Sequence, residues 1–197
     1  KKRLPEDARV LVHGDLGPLG LVTMVVTDMT GWVGGIHYGF VRSPAEMGAL
    51  LETLGATHVL WKRDWTRDWD SYAEDLVFHS FVTRHLVNTT TLDHHSLGEV
   101  PFDALPSEPY GLVLYWGNGA SYDRGLYRLD ALTVSEFGEH PKSDYPAPLD
   151  PAGESADALL ERAEFAIVDP RVPGAPRPEG FTIVMRRAGH ELWARTT

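Results

Sequence analysis

SPAEMGALLETLGATHVLW, residues 43–61, decides the fold of this chain, and SADALLERAEFAIVD, residues 155–169, repeats it. In the first copy Ser43 and Glu46 form a capping box, and Pro44 takes the first helical position, where a missing N–H costs nothing. Met47, Leu50, Leu51 and Leu54 follow i, i+3, i+4, i+7 spacing as one apolar stripe, and Gly55 supplies a left-handed C-terminal cap. The apolar run Ala56 to Trp61 then reads as a buried strand. In the second copy a bare Ser155 opens a helix striped by Ala156, Leu159, Leu160 and Ala163, and Phe165 to Val168 is its strand. A fixed offset pairs Leu50, Leu51, Val59 and Leu60 with Leu159, Leu160, Val168 and Asp169, nearly all core-type positions. The repeat therefore speaks to how a sheet is built and not to paired active sites.

Outward from these units the pattern continues. Ala8 to His13 is a short apolar run suited to a buried parallel strand. Leu21 to Met29 is strand or buried helix, and Gly31 to Gly39 is a Gly-rich loop or an edge strand. A second helix starts at Ser71, with Glu74 as its box partner, and runs to about Val87. Leu92 to Ser107 reads as a polar connection, Tyr110 to Trp116 and Gly125 to Val134 as strands, and Gly138 to Gly153 and Pro170 to Pro178 as loops. Phe181 to Arg187 and Glu191 to Arg195 form a terminal hairpin around Ala188-Gly189. The expected architecture is a single α/β domain over residues 1–197 with pseudo-halves 1–107 and 108–197. It has three layers, a mostly parallel sheet with helices on its faces, and antiparallel edge strands at the C-terminus.

Composition narrows the function classes. The 197 residues suffice for a substantial core, and 43% apolar content with six Trp excludes a disordered chain. A net charge of −10 argues against a nucleic-acid partner. With no cysteine there is neither a disulfide framework nor a thiol nucleophile. No run reaches the roughly 18 apolar residues of a membrane span, so the chain reads as soluble. Lys1-Lys2-Arg3 before Leu4-Pro5, with no Met, is the start expected just after a membrane helix, or equally after a trimmed tag.

Three residue groups could carry chemistry. Asp93-His94-His95 resembles the motif that names the DHH phosphoesterases, and His13-Gly14-Asp15 resembles that family's early His-x-Asp element. The resemblance implies a metal-dependent hydrolase with His13, Asp15, Asp93, His94 and His95 as ligands of Mn or Mg. It departs from the family at Gly17, where a second Asp belongs, and in the polar Asn88-Thr89-Thr90-Thr91 before the motif. Two chance histidines on a solvated loop are the simpler reading. The second group, Gly14, Gly17 and Gly20, lacks the dinucleotide spacing, and Pro18 removes an amide an anion would need. A tight turn accounts for it. The third is Trp61, Trp65 and Trp69, four residues apart among Arg63 and other charges, the composition of a saccharide platform. The same rings could equally cover core. Candidate ligand-binding residues are therefore Asp15, Trp61, Arg63, Trp65 and Trp69, with no catalytic residue and no cofactor assigned.

Leu4 to Val12 (LPEDARVLV), Leu51 to Leu60 (LETLGATHVL) and Gly125 to Leu129 (GLYRL) together resemble the soluble C-terminal region of bacterial GT-C-type membrane proteins. These are glycosyltransferase-like proteins akin to the dolichyl-phosphate-mannose transferases. The resemblance implies an accessory, non-catalytic, extracytoplasmic (periplasmic) domain, tethered to a membrane-embedded remainder of the same polypeptide and contacting saccharide or lipid-linked sugar. A cytoplasmic location stays open. The family's catalytic acidic residues lie in membrane-proximal loops, so none maps onto this sequence.

Overall fold

The computed structural model describes residues 4–13, 24–28, 36, 38–62, 72–117, 122–136, 147–151, 155–187 and 189–196. Strands β1 (Arg9–His13), β2 (Met24–Asp28), β3 (His58–Lys62), β4 (Val87–Leu92) and β5 (His95–Glu99) come from the first half of the chain. Strands β6 (Leu112–Trp116), β7 (Gly125–Arg128), β8 (Asp150–Pro151), β9 (Phe165–Val168), β10 (Phe181–Arg187) and β11 (His190–Arg195) come from the second. The helices are α1 (Pro44–Thr53), α2 (Tyr72–Arg84), α3 (Leu129–Glu136) and α4 (Ala156–Arg162). Each half forms its own sheet, in the orders β2-β1-β3-β5-β4 and β10-β11-β9-β6-β7-β8.

The fold is α/β, but its sheets are mixed and not mostly parallel. Among the described residues parallel pairing is confined to β1–β2, β1–β3 and β6–β9, and every other neighbour is antiparallel. The physical reason is connection length. A crossover helix returns the chain parallel at β3 and β9, whereas tight hairpins such as β4–β5 and β10–β11 return it antiparallel. The stretch expected as a polar connection from Leu92 contains β5, and Asp93 turns the hairpin at φ 54. Gly125 to Val134 is likewise a strand only to Arg128, after which α3 buries Leu129 and Leu132 at i, i+3 spacing.

The helix–strand repeat extends to whole sheets. β1, β2, β3, β5 and β4 occupy the places of β6, β7, β9, β11 and β10, although β2 runs parallel to β1 while β7 runs antiparallel to β6. Register fixes the equivalences: Val10 pairs with His58 as Val113 pairs with Phe165. Val59 and Leu60 therefore match Ala166 and Ile167, two residues short of the fixed-offset pairing with Val168 and Asp169. The slip arises between helix and strand, where residues 54–57 link α1 to β3 but only 163–164 link α4 to β9. Both helices are serine-capped, Ser43 Oγ accepting from Glu46 N and Ser155 Oγ from Ala158 N, the second with alanine at the position of the box partner. In α1, Glu46 Oε2 accepts from Arg42 N at 2.8 Å, and Gly55 at φ 68 lets Ala56 N reach Leu51 O and Gly55 N reach Glu52 O. α4 has no such glycine, and Arg195 of β11 donates instead to Leu160 O, Glu161 O and Ala163 O.

The halves stack in the same sense. The central apolar cluster joins Leu11 and Val59 of the first sheet, Met47 and Leu51 of α1, Leu76 and Phe81 of α2, and Val113, Phe165, Ile167 and Leu192 of the second sheet. On the far face of the second sheet, Leu114, Leu126, Ala166 and Val168 pack with Leu159 and Leu160 of α4. The order is thus first sheet, α1 to α3, second sheet, α4, four layers with two sheets where three layers around one sheet were expected. Val10, Val12 and Leu60 form a small cluster on the opposite face of the first sheet. Among the described residues no helix is long and apolar enough to cross a membrane.

Candidate functional site

Strand alternation sends His13 and Trp61 to the same face as Leu11 and Val59, toward α2. His13 closes β1, where register pairs it with Asp28 on one side and Trp61 on the other. His13 Nδ1 and Tyr38 OH both hydrogen-bond Asp28 Oδ2, and all three side chains are buried. The Asp28 carboxylate is an acceptor, which sets the His13 proton on Nδ1 and the lone pair on Nε2. The imidazole stacks on Phe78 of α2, ring centroids 3.4 Å apart and planes 16° from parallel. Burial lowers the pKa of His13 against the opposing pull of Asp28, so the ring is neutral near pH 7.

This network borders a cavity of about 470 Å³ bounded by the end of the first sheet, α2, and β10–β11 of the second sheet. Trp61 and Phe78 give it aromatic wall, Lys62 and Arg84 give it cations, and Thr83, Thr182 and Thr196 give it hydroxyls. His79 also lines it, and burial, with Arg84 nearby, pushes its imidazole down to about 4. An oriented neutral imidazole, hydroxyl groups, cations and an aromatic wall in one cleft are the parts that position hydroxyl-bearing ligands.

Of the sequence candidates, Trp61 and His13 stand together here. Asp15, Arg63, Trp65, Trp69 and the glycines Gly14, Gly17 and Gly20 lie outside the described residues. Asp93, His94 and His95 sit at the β4–β5 turn, where His94 Nε2 is 3.7 Å from Asp93 Oδ1 and both side chains are exposed. β3 separates that hairpin from β1, and among the described residues no three His, Asp or Glu groups converge to hold a metal ion. His58 bonds Thr57 Oγ1 through Nδ1 at 2.9 Å.

Sequence reading missed Asp28, Tyr38, Lys62, Phe78 and Arg84. Asp28 did carry a signal, an acidic residue closing a β-branched run beside the first strand. The others meet only because α2 lies between the two sheets, which local periodicity does not encode. Comparison with protein-family models, with curated proteins and with solved structures gives no match.

Proposed function

We propose that this chain is an accessory, non-catalytic domain of a GT-C-type glycosyltransferase-like membrane protein. It lies outside the cytoplasm, tethered to the membrane-embedded remainder of its polypeptide, and it contacts saccharide or lipid-linked sugar through the cavity beside Trp61. The observation that carries this reading is the partly buried Trp61 on the wall of a sugar-sized cleft, opposite hydroxyl and cationic side chains. In this reading an indole stacks on a sugar face, Thr83, Thr182 and Thr196 bond its hydroxyls, and the neutral His13 accepts one more. Arg63, Trp65 and Trp69, which follow Lys62 in the sequence, stay candidates for saccharide contact by residue type.

Saturation-transfer NMR against a panel of mono- and disaccharides tests the site. Transfer to sugar protons is expected with the native chain and lost in Trp61→Ala; transfer unchanged in that variant overturns the assignment. The complete open reading frame tests the tether, since upstream hydrophobic helices are expected and their absence removes it. The metal-hydrolase alternative draws no support from the separated His13 and Asp93–His95 positions.

A further inference from the structure

The Trp61 cavity has a charge that the rest of the molecule does not lead one to expect. The chain carries 28 Asp and Glu against 18 Lys and Arg. Yet the described residues lining this cavity include Lys62, Arg84 and Arg195 and no Asp or Glu. Two other clefts among the described residues are mixed. The one beside α4 has Asp157, Glu161 and Glu179 with its arginines, and the one under residues 170–178 has Glu179 and Glu191.

The cations differ in how far they are already committed. Arg195 spends its guanidinium on the carbonyls that end α4. Arg84 donates through Nη2 to Arg195 O at 3.0 Å, and the half-exposed Glu164 carboxylate is 3.8 Å from Nη1. Lys62 ends β3 exposed, with no acidic partner among the described residues. Asp28 stands behind His13, its Oδ2 taken by His13 and Tyr38, and it does not line the cavity. Both lining histidines are kept neutral by burial, so they offer hydrogen bonds while the lysine and arginine offer charge. Apolar Val82, Ile183 and Met185 complete a wall suited to the uncharged body of a ligand.

We propose that the ligand of this cavity is an anionic sugar, a uronate or a sugar phosphate, whose acidic group is held between Lys62 and Arg84 while its ring lies against Trp61. A cleft lined by one sign of charge within a low-dielectric wall focuses its field on a ligand of opposite sign. Charge-assisted hydrogen bonds to carboxylate or phosphate then supply the selectivity over neutral sugars. This inference rests on the saccharide reading above and adds the sign of the ligand.

Isothermal titration of the chain with glucose, glucuronate, glucose 1-phosphate and inorganic phosphate tests it. At least one acidic sugar should bind about tenfold or more tightly than glucose. The advantage should shrink as salt rises from about 50 to about 500 mM. Lys62→Gln and Arg84→Gln should each remove most of it, while Arg84→Lys retains part and Arg186→Gln, outside the cavity, changes nothing. Thermal melting identifies any variant that fails to fold, and Lys62→Gln, at an exposed position, keeps the test open if Arg84→Gln does. Preference for glucuronate or for glucose 1-phosphate selects carboxylate or phosphate as the anion and supports the proposal. Equal binding of glucose and both acidic sugars overturns it and leaves the sugar site standing. Inorganic phosphate binding as tightly as glucose 1-phosphate keeps the anion site but overturns the sugar. No binding by any of the four overturns both.

Discussion

The two halves share one topology and end their strands differently. At the close of β1 stands His13, tied to Asp28 and Tyr38; at the register-equivalent close of β6 stands Trp116, packed in the apolar cluster under α4. The first half thus buries titratable groups where the second buries an indole. The helix ends contrast in the same way. α1 closes on itself through Gly55, whereas α4 borrows Arg195 from β11, a strand that follows it by nearly thirty residues. A duplicated scaffold keeps its core pattern because packing demands it, while strand ends, which touch no repeating partner, are open to different chemistry.

The largest effects should come from breaking the layers apart. Phe81→Ala, between the two sheets, is expected to cost about 3–5 kcal/mol and to lower hydrogen-exchange protection in both halves. Leu159→Ala, beyond the second sheet, should cost about 2–5 kcal/mol with the loss concentrated in α4, β6 and β9. Urea unfolding with exchange mass spectrometry checks both, and protection in the second sheet untouched by Phe81→Ala would separate the halves. Next comes the polar strand end. Asp28→Ala strips a buried neutral imidazole and the Tyr38 hydroxyl of their acceptor and should cost about 2–3 kcal/mol, with Trp61 fluorescence altered at the cavity wall.

Titration sharpens the contrast. The folded state lowers His79 from 6.5 to about 4, and lowers His13 and His85 in the same direction, so the unfolded chain binds these protons more strongly. Their stabilising contribution is whole above pH 6.5 and is lost as pH falls toward about 4 for His79. Asp169, in the second half, is held at about 2 by Arg171, and its contribution survives until pH falls below 3.8. Between pH 6.5 and 4 the urea midpoint should therefore fall, with α2 and the first sheet losing exchange protection first. His79→Gln should flatten that slope, and an unchanged slope would discard the assignment.

The smallest differences lie at the helix ends. Arg195→Gln frees three carbonyls at the end of α4 and should cost about 2 kcal/mol, against about 1 kcal/mol for Gly55→Ala, whose positive φ penalises a side chain. Ser43→Ala and Ser155→Ala should each cost about 1 kcal/mol, and thermal melts giving unequal values would show that the second cap is not the equal of the first.

The helix–strand units were legible because their information is local: caps, an apolar stripe, and a strand of continuous hydrophobics. The β4–β5 hairpin was not, since Asn88 to Thr91 is polar on a sheet edge and only pairing with β3 makes strands of its neighbourhood. Asn88 also sits at φ 50 within an irregular register, which spoils period-two alternation. Leu129 to Val134 misled for a similar reason, β-branched residues taking helical form once Leu129 and Leu132 had a core to fill. At the site, Trp61 and His13 stood out by residue type. Their partners Asp28, Tyr38 and Phe78 are ordinary residues whose meaning comes from a meeting between distant elements.

The stacking order has a consequence for synthesis. Every strand of the first sheet precedes residue 100, so that sheet can assemble while the rest of the chain is still being made. Its helical layer, however, includes α2, whose Leu76, Phe81 and Val82 are covered in part by Phe165, Ile167 and Leu192 from the last third of the polypeptide. A nascent chain would therefore hold a finished sheet beside an uncovered apolar helix until β9 and β11 emerge. During that interval the face of α2 that the second sheet covers in the mature protein stays open to solvent.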